Sequence, residues 1–325
     1  MDKKPSANAE ALARKLHEKL QSERPRWTRW LPALAGILLI VLVILAWALY
    51  PKPDPPRMTV SVSDELNVRG EPAVVHAFLD PENPDAKVDS LKGMEATFWI
   101  DKPPPAVDDA PREKVVCDSH GQSMAKLDAS AAAKAKFHVR HMAPLKKQDP
   151  PKDEAHIFNL PKDTPLLLVE AEETLADLDP KLWSKTHPLN IAVRAGAADA
   201  LKIARDKHGY AITYLALELM PAREYRRVRG WVRDIKASGP EALPDGPVLG
   251  RLRYDSGDVH SARQALLSDL RERFTGPIVA VVRDADAAEQ CVNLKIRALA
   301  MGGGDFPDAV VRLKTWQDLP TALGK

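Results

Sequence analysis

"LLLVEAEETLADLDP", residues 166–180, passes from an apolar run straight into Glu170, Glu172 and Glu173. A short, unbroken apolar run reads as a strand buried on both faces, the kind found in parallel sheets covered by helices. In such sheets ligands gather at the carboxyl ends of the strands. The acids stand at that end, so one short stretch sets both the expected fold of the C-terminal half and the expected place of its site.

Downstream, strand-like and helix-like patterns alternate. "LLLVEAE" is followed by the helical "AADALKIARDKHG", then "YAITYLAL", helical "PAREYRRVRGWVRDIK", "GPVLGRLR", helical "SARQALLSDLRERF", "PIVAVVRD", helical "DAAEQCVNLKIR", "ALAMG" and a last helical stretch. This series predicts an α/β domain over residues 161–325 with a Rossmann-like parallel sheet. Asp284 ends "PIVAVVRD", and a parallel sheet can bring it to the same edge as Glu170 and Glu172.

Upstream, from Met58 to about Met142, the runs are short and alternate with period two: "TVSVS", "AVVHAFL", "EATFWID", "KVVCD", "MAKLDA" and "AKFHVRHM". They predict a small β-sandwich over 58–145, with 146–160 as a linker. The order "LNVRGEPAVVHAFL", "GMEATFWI" and the turn Asp118-Ser119-His120-Gly121 resembles the immunoglobulin-like modules of bacterial surface proteins. That resemblance implies a spacer or binding module. His120 beside Asp118 reads as an exposed turn histidine.

Near the N-terminus, "LPALAGILLIVLVILAWALY" (31–50) is uncharged and about as long as a helix needs to cross a bilayer. Trp27, Trp30, Trp47 and Tyr50 flank it as an aromatic belt would, and Arg14, Lys15, Lys19, Arg24, Arg26 and Arg29 precede it. The expectation is a single-pass membrane protein. Residues 1–30 would be cytoplasmic and contain a short helix in "SANAEALARKLHEKLQSE"; 31–50 would span the lipid bilayer, 51–57 would form a Pro-rich linker, and the rest would be extracytoplasmic. A cleaved signal peptide, with Ala46-Trp47-Ala48 as the cleavage site, is the rival.

Composition narrows the rest. With 325 residues, 45% hydrophobic and 28% charged, the chain has material for a core in each half. A formal net charge of +2, with no basic run interleaved with aromatics, argues against nucleic acid as a partner. Cys117 and Cys291 are the only cysteines, which excludes a disulfide scaffold and leaves either one bridge between the halves or two buried thiols. The nine histidines lack zinc-site spacing.

Glu170 and Glu172 at i and i+2, with Thr174 at i+4, resemble the first motif of the haloacid dehalogenase-like phosphohydrolases, Asp-x-Asp-x-Thr/Val. The similarity extends over roughly Leu166 to Met301, and "LPDGPVLGRLR" is similar to the lipin-like phosphatidate phosphatase branch. The resemblance implies a nucleophile at Glu170, a general acid and base at Glu172, phosphate binding by Thr174 and by Arg263 at the family's lysine position, and magnesium held by Glu170, Glu172 and Asp284. Departures from the pattern are several. Both glutamates are a methylene longer than aspartate, Ala216 stands where the second motif has a hydroxyl, and Arg283-Asp284 replaces Gly-Asp. A misplacement of about 1 Å can reduce a rate about 100-fold.

Plainer readings stand beside these. Thr174 or Asp177 can cap the segment after the strand, and Asp284 or Asp286 can cap the helix that follows. Arg263 reads as a solvated-face residue, and the arginines of "AREYRRVRGWVR" as the basic outer face of a helix near lipid headgroups. The resulting expectation is a membrane-tethered binding or scaffolding protein of the cell envelope, without a cofactor, whose partner is a protein or envelope ligand. The alternative is a magnesium-dependent phosphatase acting on a phosphorylated lipid or envelope metabolite.

Overall fold

The computed structural model describes residues 7–22, 30–49, 57–81, 91–101, 112–129, 132–142, 149–217, 222–236, 239, 242–250 and 258–324. Residues 51–56, Pro103 to Pro105, Arg24, Arg26, Arg29 and most of "GRLR" lie outside these, so the readings placed there are not addressed. The chain divides into two compact units, Met1–Pro55 and Pro56–Lys325.

The first unit holds two helices, α1 (Ala7–Ser22) and α2 (Leu31–Leu49). Among the described residues no helix is long and apolar enough to cross a membrane. The expected single-pass architecture, and the localisation drawn from it, are corrected accordingly.

In the second unit, β1 (Met58–Val62), β3 (Ala73–Pro81) and β6 (Gln122–Leu127) form an antiparallel three-stranded sheet with β3 central. The other sheet has five strands in the order β2 (Glu65–Val68), β8 (Lys152–Leu160), β7 (Lys134–Met142), β4 (Glu95–Ile100) and β5 (Glu113–Val116). Val60, Val62, Val75 and Ala77 from the first meet Phe98, Phe137, Val139 and Ile157 from the second in one core. Along β7, Ala135, Phe137, Val139 and His141 are buried while the residues between them are not, as period-two patterning requires.

Two expectations change here. Residues 152–160 were assigned to a linker because Pro150-Pro151 punctuates the chain, yet they form β8, which pairs antiparallel with β7 and parallel with β2. The larger sheet is therefore mixed, unlike the purely antiparallel immunoglobulin-like sandwich expected over 58–145.

Six parallel strands make up the remaining sheet: β9 (Leu166–Glu170), β10 (Ala211–Ala216), β11 (Val248–Gly250), β12 (Ile278–Val282), β13 (Arg297–Met301) and β14 (Val311–Leu313). Their order is β11-β10-β9-β12-β13-β14, with β9 between β10 and β12. The order reverses between β9 and β12, which is where open α/β sheets form their crevice. Leu167 and Val169 face the layer of α3 (Ala197–His208), which also contains Trp183, Trp231 and Trp316. Leu166 and Leu168 face the layer of α5 (Val259–Arg273) and α6 (Ala285–Asn293). Burial of both faces explains why β9 reads as an unbroken apolar run. A short α7 (Leu319–Leu323) closes the chain.

The arginine-rich segment forms α4 (Ala222–Gly230) and a following π turn, Trp231–Ile235. Two of its described arginines, Arg229 and Arg233, do not belong to a basic outer face. Arg229 is 7% exposed and binds Asp153 through Nη2 at 2.8 and 3.0 Å, while its Nη1 donates to the Val62 carbonyl. Arg233 Nη1 donates to Asp64 Oδ1 at 2.9 Å, and Asp64 also accepts the His156 and Val248 amides. The hydroxyl of Tyr225 accepts from the Asp64 amide at 3.1 Å and donates to the Val248 carbonyl at 2.6 Å. The correction has a simple cause: two aspartates of the β-rich half supply counter-charges that no pattern local to the helix reveals.

Both cysteines are free and buried, so they are two separate thiols. Cys117 Sγ lies 3.7 Å from Nε2 of His141, a ring with no exposure. Burial pushes the Cys117 thiol up to about 11 and His141 down to about 4. Below its unfolded value of 6.5, His141 takes up a proton more readily in the unfolded chain than in the folded one. The stability present above pH 6.5 is therefore lost progressively as pH falls toward 4, by roughly 3 kcal/mol from this ring alone. The expected result is a lower denaturant midpoint at pH 5 than at pH 7, with a smaller drop in His141→Leu. Equal drops in the two proteins would show that His141 is not responsible.

Candidate functional site

β9 ends at Glu170, and the chain then makes a single π turn, Ala171–Leu175, that carries Glu172, Glu173 and Thr174. Such turns insert an extra residue into helical geometry and recur at functional sites. Here the turn is pinned from inside. Thr174 Oγ1 donates to the Glu170 carbonyl at 2.7 Å, and Trp316 Nε1 donates to the Thr174 carbonyl at 3.3 Å. Thr174 is 1% exposed, so its hydroxyl closes the turn and does not face a ligand. Glu172 is also 1% exposed, whereas Glu173 is half-buried toward the sheet edge.

Arg263 reaches this edge from α5. Its Nε lies 2.9 Å from Glu170 Oε1 and its Nη2 lies 3.5 Å from Asp284 Oδ2. The Arg263 and Glu170 side chains are 5% and 4% exposed, so the pair lies inside the protein and Arg263 is not on a solvated face. Asp284 is more open, at 40%, and its Oδ1 accepts the Ala287 amide at 2.7 Å as the N-cap of α6. Cys291 lies against the same group; burial, and after it the charge of Glu170, pushes its thiol up to about 12.

The structure therefore brings together three residues picked from sequence, Glu170, Arg263 and Asp284. Carboxylate oxygens of Glu170, Glu173 and Asp284 can all lie within 4.8 Å of one another, so Glu173, not Glu172, joins the other two in a possible ligand set. The expected set of Glu170, Glu172 and Asp284 follows an i, i+2 spacing, whereas the segment enters a π turn that buries Glu172 and leaves Glu173 at the edge. Ala216, at the end of β10, is buried and offers no hydroxyl.

Outside this inner group the sheet edge opens into a cleft of about 810 Å³. Its walls include Glu173, Asp177, Arg194, Arg283, Asp284, Gly303 and Gly304. Arg283 donates to the Glu173 carbonyl at 3.3 Å, and Arg194 lies 3.5 Å from Asp177 Oδ1. An isolated antiparallel bridge between Ala176 and Val193 holds the Arg194 loop against the π turn. Arg194 was not singled out from sequence, since it sits in an irregular loop whose place at the cleft depends on that bridge.

No family model and no curated protein matches the chain. Among solved structures it is similar to one described as "Structure of PhoD", at 8% identity and a TM-score of 0.31, covering 75% of this chain and 70% of that one. It is also similar to a 2,6-sialyltransferase from Vibrionaceae Photobacterium sp. JT-ISH-224, at 8% identity and a TM-score of 0.19, covering 73% and 41%. A glycosyl hydrolase family 2 member from Bacteroides cellulosilyticus gives 12% identity and a TM-score of 0.27, covering 75% and 37%. The chain spans less than half the length of the last two. At these TM-scores none of the likenesses bears on activity.

Proposed function

We propose that this chain is a binding protein whose ligand site is the cleft at the carboxyl edge of the parallel sheet, and that the acids at the base of that cleft perform no phosphoryl-transfer chemistry. The observation that carries this reading is the buried Arg263–Glu170 ion pair. A nucleophilic carboxylate must be aimed at the reacting phosphorus, and Glu170 instead points its oxygen at a guanidinium 2.9 Å away. Freeing it would leave a buried charge unpaired, at about 3–5 kcal/mol.

Magnesium fits the same residues poorly. The ion demands near-octahedral oxygen coordination at about 2.0–2.1 Å. Two of the three acids that could gather around it already flank Arg263, whose fixed positive charge stands close to where the ion's would be. Thr174 turned into the backbone and the absence of a hydroxyl at Ala216 add to this support. Location favours a binding role as well, because the cleft lies where the strand order reverses.

The test is hydrolysis of an aryl phosphate by the full chain with and without magnesium. The expected result is no release of phosphate above the buffer rate and no saturable magnesium binding. Turnover that depends on magnesium and disappears in Glu170→Ala would overturn the proposal.

A further inference from the structure

We propose that a cavity between α5 and α6 is a second binding site, and that it takes the ammonium head of a small primary alkylamine. It shares no lining residue with the cleft at the sheet edge, so this inference does not depend on the reading given for that cleft.

The cavity measures about 220 Å³, and its lining includes His260 and Gln264 from α5 with Asp286, Glu289, Gln290 and Leu294 from α6 and its C-cap. Positions 286, 289, 290 and 294 recur at helical spacing, so one face of α6 supplies one wall. Among the described residues no lysine or arginine lines it. Arg263, on the same helix as His260, is committed to Glu170 instead. Asp286 and Glu289 are exposed neighbours three residues apart on the helix, where like charges repel, and a cation between them removes that cost.

Gln290 points to a ligand independently of those acids. It is 5% exposed, and its Nε2 donates to the His260 carbonyl at 3.0 Å. A carbonyl only accepts, so this bond fixes which end of the amide is nitrogen, and Oε1 is the end left for a ligand. That oxygen is buried without a donor among the described residues, a state that costs free energy and that an N–H group relieves. An ammonium group carries three donors and no acceptor, which suits two carboxylates and one amide oxygen. Leu294 gives the short alkyl chain an apolar surface. A metal ion fits less well, because among the described residues His260 does not approach the two acids closely enough to make a set of three ligands.

The experiment is calorimetric titration of the full chain with butylammonium chloride, with butanol and magnesium chloride as comparators. The variants are Gln290→Leu, the double change Asp286→Asn with Glu289→Gln and, as a control, Asp199→Asn. Asp199 is an exposed acid beside Lys202 on α3 and takes no part in the lining. The expected result is saturable binding of butylammonium and none of butanol. Binding should weaken ~10-fold in Gln290→Leu and ~10-fold in the double variant, and stay unchanged in the control. Because Asp286 and Glu289 are exposed, their variant tests the site even if Gln290→Leu folds poorly. Absence of saturable binding, equal weakening by Asp199→Asn, or butanol binding as tightly as butylammonium overturns the inference. Displacement of butylammonium by an equal concentration of magnesium would make this a metal site and overturn it as well.

Discussion

Arg263→Ala is expected to destabilise the Pro56–Lys325 unit by about 3–5 kcal/mol, the cost of leaving a buried carboxylate without its counter-charge. Glu170 is 3% exposed, and the guanidinium that compensates it also touches Asp284, so one truncation disturbs two acids. The loss should be read from the denaturant midpoint, with the slope checked to remain constant. A double variant, Arg263→Met with Glu170→Leu, separates charge from packing. Replacing both partners of a buried pair by apolar residues is often neutral, so the double variant should recover most of what the single one loses. If the double variant is as unstable as Arg263→Ala, the loss came from packing and the account of the pair is wrong.

The second large effect is expected at Asp64→Ala, also about 3–5 kcal/mol, because the change strips partners from one charged group and two amides at once. Asp64 accepts from Arg233 Nη1 at 2.9 Å, the His156 amide at 2.9 Å and the Val248 amide at 3.0 Å, and its side chain has no exposure. These donors come from the turn after α4, from β8 and from β11, so one carboxylate ties three segments together. For a unit of this size such a loss lowers the melting midpoint by on the order of 10 °C. Asp245→Ala is the comparison, since Asp245 pairs with Lys134 on the surface and should shift the midpoint little. Comparable shifts for the two variants would remove Asp64 from its central place.

Much of the parallel sheet was legible in the sequence because its strands are buried on both faces. β9, β10, β12 and β13 each fall where an apolar run predicts a strand, and Glu170 and Asp284 fall at the predicted edge. Partners were much less legible than positions. Arg263 lies 93 residues from Glu170 in sequence, and nothing in the α5 pattern distinguishes it from a surface arginine. The arginines of α4 misled in the same way, since their aspartates belong to the other half of the unit. β8 was hidden by the prolines just before it, which punctuate the chain without ending the sheet.

β2 and β8 contribute more than a second sheet. Leu66, Val68 and Phe158 pack in the same apolar layer as Leu166, Leu168 and the helices α5 and α6, and Arg273 from α5 donates to the Leu66 carbonyl at 2.6 Å. The β-rich half is thus one wall of the α/β half, although the chain order suggests two beads on a string. For inheritance this means that neither half is a portable cassette. A recombination event breaking the gene near residue 161 would pass on a sheet with a bare face, and the two halves are expected to travel through evolution as a single indivisible piece.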